Sequence, residues 1–176
     1  MVGGGHVLPG LGTGRTGPDR GRGRTAAPGP GWLAGYGAEV LRPYVLGLLA
    51  EAYGKSGQAA EGLTVLEEAL AMVEKTGQGV YEADLHRLQG ELLLIHAAGG
   101  AGAEAEACFQ QALTVARRQQ AKALELRAAM SLGRLWQQQG QQAEARALLA
   151  PICGWFTEGF DTADLQEAKA LLAALT

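Results

Sequence analysis

AAMSLGRLWQQQGQQAEARALLAPI, residues 128–152, decides how the rest of the chain reads. Ala129, Leu132, Gly133 and Trp136 recur at the spacing of one helical face, and Ala145, Leu148, Leu149 and Ile152 do so again. Between the two runs stands Gly140, where a first helix has to stop and a left-handed terminal residue is wanted. A spacing near 3.6 rather than 2 makes each run an amphipathic helix and not a strand. The segment is therefore a helical hairpin.

Working outward, the same grammar appears twice more. LGLLAEAYGKSGQAAEGLTVLEEALAMV fills residues 46–73, and LHRLQGELLLIHAAGGAGAEAEACFQQALTVA fills residues 85–116. Each has a periodic run, a glycine turn (Gly57, then Gly99 or Gly100), a Glu followed by a small residue, and a second periodic run. The Glu–small pairs begin at Glu61, Glu104 and Glu144, spaced 43 and 40 residues apart. Small residues at Ala50 and Gly133 on the first helices, and at Gly62, Ala105 and Ala145 on the second, let backbones approach. Bulky Tyr53, Trp136, Leu66, Phe109 and Leu149 fill the space beside them. A lone hairpin leaves half of such a surface wet, so hairpins of this kind must stack, and about three are needed for stability.

This pattern resembles the tetratricopeptide repeat family. Leu49-Ala50…Tyr53 and Leu132-Gly133…Trp136 match its Leu-Gly…Tyr signature, and Gly62, Ala105 and Ala145 match its small second-helix position. The period departs from the family's 34 residues, lying near 41. The resemblance implies an all-α right-handed superhelix of three hairpins over 38–156, with 157–176 as a C-terminal capping helix. It also implies that the first helices line a concave groove. By that register Glu51, Lys55, Asp84, Arg87, Glu91, Arg127, Arg134 and Gln138 are candidates for contact with a protein or peptide partner. From Tyr81 onward the wording is similar to the C-terminal end of large bacterial signalling proteins. Those proteins join a class III adenylate/guanylate cyclase domain, a STAND/AAA-like ATPase and a tetratricopeptide tail. That implies a cytoplasmic interaction or sensor module and the tail of a longer architecture. Alternatives are the tail of a STAND-type transcription regulator or, in a different class, a small helical enzyme.

Residues 1–37 read differently. They hold 13 of the 27 glycines and carry a net charge of +3, whereas the remainder carries −6. No hydrophobic period runs through residues 1–31, so the segment has too little apolar area to offset the cost of ordering it, and disorder is expected. Gly12, Gly14 and Gly17 fit a dinucleotide fingerprint, but Pro9 precedes them and Pro18 follows, so the strand and helix that give the motif its mechanics are missing. The abrupt change of composition near Trp32 is what a misplaced gene start would produce. The acidic remainder disfavours nucleic acid as a partner.

Nothing points to catalysis. There is no phosphate-loop motif, so neither cyclase nor ATPase chemistry carries over to any residue here, and no cofactor or metal is expected. His86 and His96 are ten residues apart and fall on different helix faces. Cys108 and Cys153 read as small buried apolar residues. No run of 18 apolar residues suggests a membrane span. At the C-terminus, Asp161 or Thr162 is a good N-cap for a helix over about 162–175, with Leu165, Ala168, Leu171, Leu172 and Leu175 on one face. Trp155, Phe156 and Phe160 are expected beneath it, and Pro151 is expected to kink or shorten the helix before it.

Overall fold

A computed structural model describes residues 38–175 apart from Gln78 and Gly99, and side chains from residue 41 onward. The expectation of a disordered tail over 1–37 lies outside the described residues. Within them the protein is all-α, with no strand, and runs α1 (Ala38–Lys55), α2 (Ala59–Thr76), α3 (Glu82–His96), α4 (Gly102–Arg118), α5 (Lys122–Gln138), α6 (Gln142–Gly154) and α7 (Ala163–Ala174).

The helices form successive pairs, α1 with α2, α3 with α4 and α5 with α6, and α7 closes the series. Along the chain α3 also packs on both α1 and α5, and α5 on α7, whereas α2, α4 and α6 do not approach one another. Odd-numbered helices thus make one close-packed layer and even-numbered helices a splayed one. We call the odd-numbered, close-packed layer the inner layer.

Turn chemistry sets where each helix ends. Gly57 and Gly140 have φ of 79° and 81°, as a left-handed terminal residue requires. The next residue's amide reaches back to the last turn, Gln58 to the Tyr53 carbonyl at 2.9 Å and Gln141 to the Trp136 carbonyl at 2.8 Å. After α4 the same arrangement recurs, Ala121 donating to the Ala116 carbonyl at 2.9 Å, but the left-handed residue is Gln120, with φ of 55°. After α3 it is Ala98 that takes positive φ, upstream of the glycine expected there.

Two apolar clusters meet at α3. Ala50, Leu66, Ala69, Leu85, Leu88 and Leu92 belong to the first, and Phe109, Leu113, Leu126, Leu132, Leu149 and Leu165 to the second. Burying one such side chain contributes roughly 1.5–3 kcal/mol. Small residues govern the approach distances, though not all in the expected places. A Cβ on Gly62 would stand 2.7 Å from Leu92 Cδ1 and 3.1 Å from the Ala50 carbonyl oxygen, so the small residue is obligatory there. The tightest contact against a rigid group is at Gly90, where a Cβ would lie 2.5 Å from Phe109 Cε1. Gly133, expected to clear room for a neighbour, has space for a methyl group, the nearest atom being Leu171 Cδ2 at 3.6 Å.

The C-terminal expectations hold in part. Thr162 has extended backbone (φ −68°, ψ 145°) and precedes α7, whose Leu165, Ala168 and Leu171 are buried. Phe156 packs against the core, but Trp155 and Phe160 are exposed, Trp155 edge-on to Phe156 and Phe160 under Lys169. Helix α6 continues through Pro151 and stops at Gly154. Pro151 and Ala147, whose carbonyl loses its usual amide, are both exposed, so water can satisfy the orphaned group. Cys108 and Cys153 are half-buried free thiols, and burial raises the pKa of each.

Candidate functional site

The eight candidate groove residues lie on α1, α3 and α5, helices of the inner layer. On α1, Lys55 Nζ pairs with Glu51 Oε1 at 2.7 Å, one helical turn away. On α3, Arg87 sits between two carboxylates, its Nε donating to Asp84 Oδ1 at 2.7 Å and its Nη1 to Glu91 Oε1 at 2.8 Å. Only 14% of the Arg87 side chain is exposed. Burial alone would lower the guanidinium's pKa, and the charges and hydrogen bonds of Glu91 and Asp84 reverse that, so the net shift is upward. The chain of contacts continues to α5, where the buried Ser131 hydroxyl donates to the same Glu91 oxygen at 2.8 Å.

Toward the C-terminus the inner layer is tied again. Arg127 Nε donates to Asp164 Oδ2 and Arg134 Nη2 to Glu167 Oε2, both at 2.8 Å, linking α5 to α7. Every candidate cation in the groove therefore has a carboxylate partner within the chain. Sequence reasoning placed these residues on the inner helices without assigning them partners in the chain; the acidic residues on α7 were not read as reaching α5. The exposed pairs, Glu51–Lys55, Arg127–Asp164 and Arg134–Glu167, contribute ~0–1 kcal/mol each, so a ligand can exchange them at small cost, whereas the mostly buried Arg87 stays with its carboxylates.

Between the helices run shallow clefts. One seam between α1 and α3 is lined by Tyr44, Leu48 and Glu51 on one side and Tyr81, Asp84 and Leu88 on the other. It continues past Gly54 and Lys55 to Glu91, Leu92 and Ile95, with a volume near 160 Å³. A further cleft near 420 Å³ lies between α3 and α5, lined by Leu94, Ile95, Gly102, Leu135, Gln138 and Gln139. Ile95 belongs to both and is exposed, as are Leu48 and Tyr44. The α1–α3 seam is well below the ~300–1,000 Å³ of a typical small-molecule pocket, and a groove of this form suits side chains carried by a peptide.

A larger cleft, near 690 Å³, lies between α2, the start of α3 and the end of α4, lined by Glu67, Leu70, Glu74, Gly77, Glu82, His86 and Arg118. It opens between α2 and α4, which do not approach one another. Arg118 there pairs with Glu82 at 2.9 Å, and His86 has its pKa lowered by burial, an effect partly offset by a hydrogen bond with Gln89 and by the charge of Glu82.

One buried ionic group escaped the sequence reading. Glu125, 4% exposed at the start of α5, accepts hydrogen bonds from Arg117 Nε at 2.9 Å and Lys122 Nζ at 2.7 Å. Burial would raise its carboxyl pKa, but the hydrogen bonds and charges of Lys122 and Arg117 outweigh that and hold it below the ordinary value. The only available signal was its position in a first helical turn between basic residues. It clamps the α4–α5 turn at the left-handed Gln120. Among the described residues no group of three or more His, Cys, Asp or Glu side chains is arranged to hold a metal ion, and no helix is long and apolar enough to cross a membrane. No protein-family model matches the chain, and no curated protein matches it either.

Proposed function

We propose that the protein is a tetratricopeptide-like interaction module whose inner helices α1, α3 and α5 bind a peptide segment of a protein partner, without catalysis of its own. The observation that carries this reading is the continuous inner face, with apolar Leu48 and Ile95 exposed along clefts flanked by ion pairs that a ligand can exchange. Apolar anchors from the peptide enter the seams, and charged or amide groups compete with the exposed Glu51–Lys55 pair or engage Gln138. The wording of the chain from Tyr81 onward supports placing this module at the C-terminal end of a bacterial cyclase or ATPase signalling protein, where other domains of the same protein are candidate partners.

Selection of a displayed random-peptide library against the full chain tests the groove. The expected outcome is an enriched motif with spaced apolar residues, lost for the variant Ile95→Asp. Because Ile95 is 51% exposed, that substitution leaves the fold in place, as circular dichroism would verify. Peptides that bind the folded variant as tightly as the wild type would refute the groove.

A further inference from the structure

Helix α1 is apolar on both of its sides. Pro43, Gly47 and Ala50 are buried, with Gly47 close to Leu85 of α3 and Ala50 close to Gly62 of α2. On the opposite side, at successive spacings of four, three and four, stand Leu41, Val45, Leu48 and Ala52, and the first three are 40%, 57% and 48% exposed. At 100° per residue these four fall within about 60° of one another, a stripe diametrically across from the buried residues. Exposed apolar residues aligned in one stripe mark a face for contact with another element. The other end of the stack shows the contrast: α7 turns Gln166, Glu167 and Lys169 outward, as a terminal element does. Residues 1–31 have no apolar period with which to cover the stripe.

We propose that a second copy of the chain covers it, the two α1 helices packing antiparallel about a dyad between Val45 and Leu48. The 4-3-4 spacing is that of a two-helix seam, and it is self-complementary in this orientation. Val45 meets Leu48 of the other copy, and Leu41 meets the small Ala52. Polar groups complement one another on the flanks. Tyr44 and Glu51 lie on the same side of the stripe, so the Tyr44 hydroxyl of each copy meets the Glu51 carboxylate of the other. On the far side Leu49 covers the aliphatic stem of Arg42. The cations bordering the stripe are already neutralised, Arg42 by Glu68 and Lys55 by Glu51, each pair under 3 Å, so two copies meet without uncompensated like charge. Tyr44, Leu48 and Glu51 also line the α1–α3 seam, so a second copy and a groove-bound peptide compete for them, and the dimer is read in the absence of peptide.

Sedimentation of the full chain over a concentration series tests the proposal. A mass rising to twice the monomer value is expected, and Leu48→Glu halves it at equal concentration with helicity unchanged. Orientation is read by thiol cross-linking with a short bifunctional reagent, in a background where Cys108 and Cys153 are replaced by Ala. A mixture of Leu41→Cys and Ala52→Cys chains should cross-link. Leu41→Cys alone should not, since its copies lie about 16 Å apart along the seam. A chain monomeric at every concentration overturns the proposal and leaves the stripe to a different protein. A dimer unaffected by Leu48→Glu, or one in which Leu41→Cys cross-links to itself, overturns it as well.

Discussion

Replacing glycine by alanine should have opposite effects at two helical positions of this stack. In a helix interior the change gains about 1 kcal/mol from backbone entropy alone. At Gly133 nothing opposes that gain, because the added methyl meets Leu171 Cδ2 at 3.6 Å and Ala145 Cβ at 4.0 Å, ordinary contact distances. At Gly90 it would lie 2.5, 2.9 and 2.9 Å from three atoms of the Phe109 ring. Carbon atoms pack best at about 3.5–4.0 Å, so α3 and α4 must part by roughly 1 Å. Phe109 is 1% exposed and cannot swing away. Overpacking of a core costs about 1–3 kcal/mol, and three short contacts with a rigid ring place this site in the upper half of that range. The net expectation is a loss of about 1–2 kcal/mol for Gly90→Ala and a gain of about 1 kcal/mol for Gly133→Ala. Urea titrations followed by far-ultraviolet circular dichroism resolve such a difference as roughly 1 M or more in midpoint. Adding Phe109→Leu to Gly90→Ala should recover part of the loss, giving a coupling energy above ~0.5 kcal/mol. Equal shifts for the two single variants, or additivity in the double variant, would show that Gly90 and Phe109 do not touch.

Two further substitutions probe the α4–α5 turn. Gln120→Gly should stabilise the protein by about 1 kcal/mol, since a left-handed backbone costs a non-glycine residue roughly 1–2 kcal/mol, and the gain should appear as a higher urea midpoint. Glu125→Gln should cost about 1–2 kcal/mol at neutral pH by weakening hydrogen bonds made to a charged group. The carboxyl's folded pKa lies below its unfolded value of about 4.3, so its contribution is full above that value and is lost as pH falls through the folded pKa. Denaturation midpoints measured from neutral pH downward should therefore fall in acid for the wild type more than for the variant.

Local chemistry made much of the fold readable in advance. Gly57 and Gly140 ended their helices where turn reasoning put them, and Ala105, Ala145 and Gly62 are buried where helices meet. Gly90 was overlooked because an isolated glycine in an apolar run carries no mark of what lies opposite; its partner is nineteen residues away on another helix. Gln120 was overlooked for the reverse reason, a residue with no turn preference being forced into a left-handed conformation by the packing of α4 and α5. The groove candidates were assigned to their helices by periodicity alone, which says which side of a helix a charge occupies but not which charge answers it. Arg127 and Arg134 find carboxylates 37 and 33 residues downstream, and only coordinates reveal such pairings. Trp155 was expected in the core because it is large and apolar, yet it is 58% exposed beside Lys122.

The cross-helix pairs of the inner layer are distributed unevenly along the chain, and the consequence is directional. Two ion pairs fasten α5 to α7 and one buried hydroxyl fastens α3 to α5, whereas no ion pair spans α1 and α3 among the described residues. Helices stacked in a row can loosen one neighbour at a time. Amide exchange should then record the first hairpin breathing ahead of α3, α4 and α5, so that loosening starts at the end nearest Ala38.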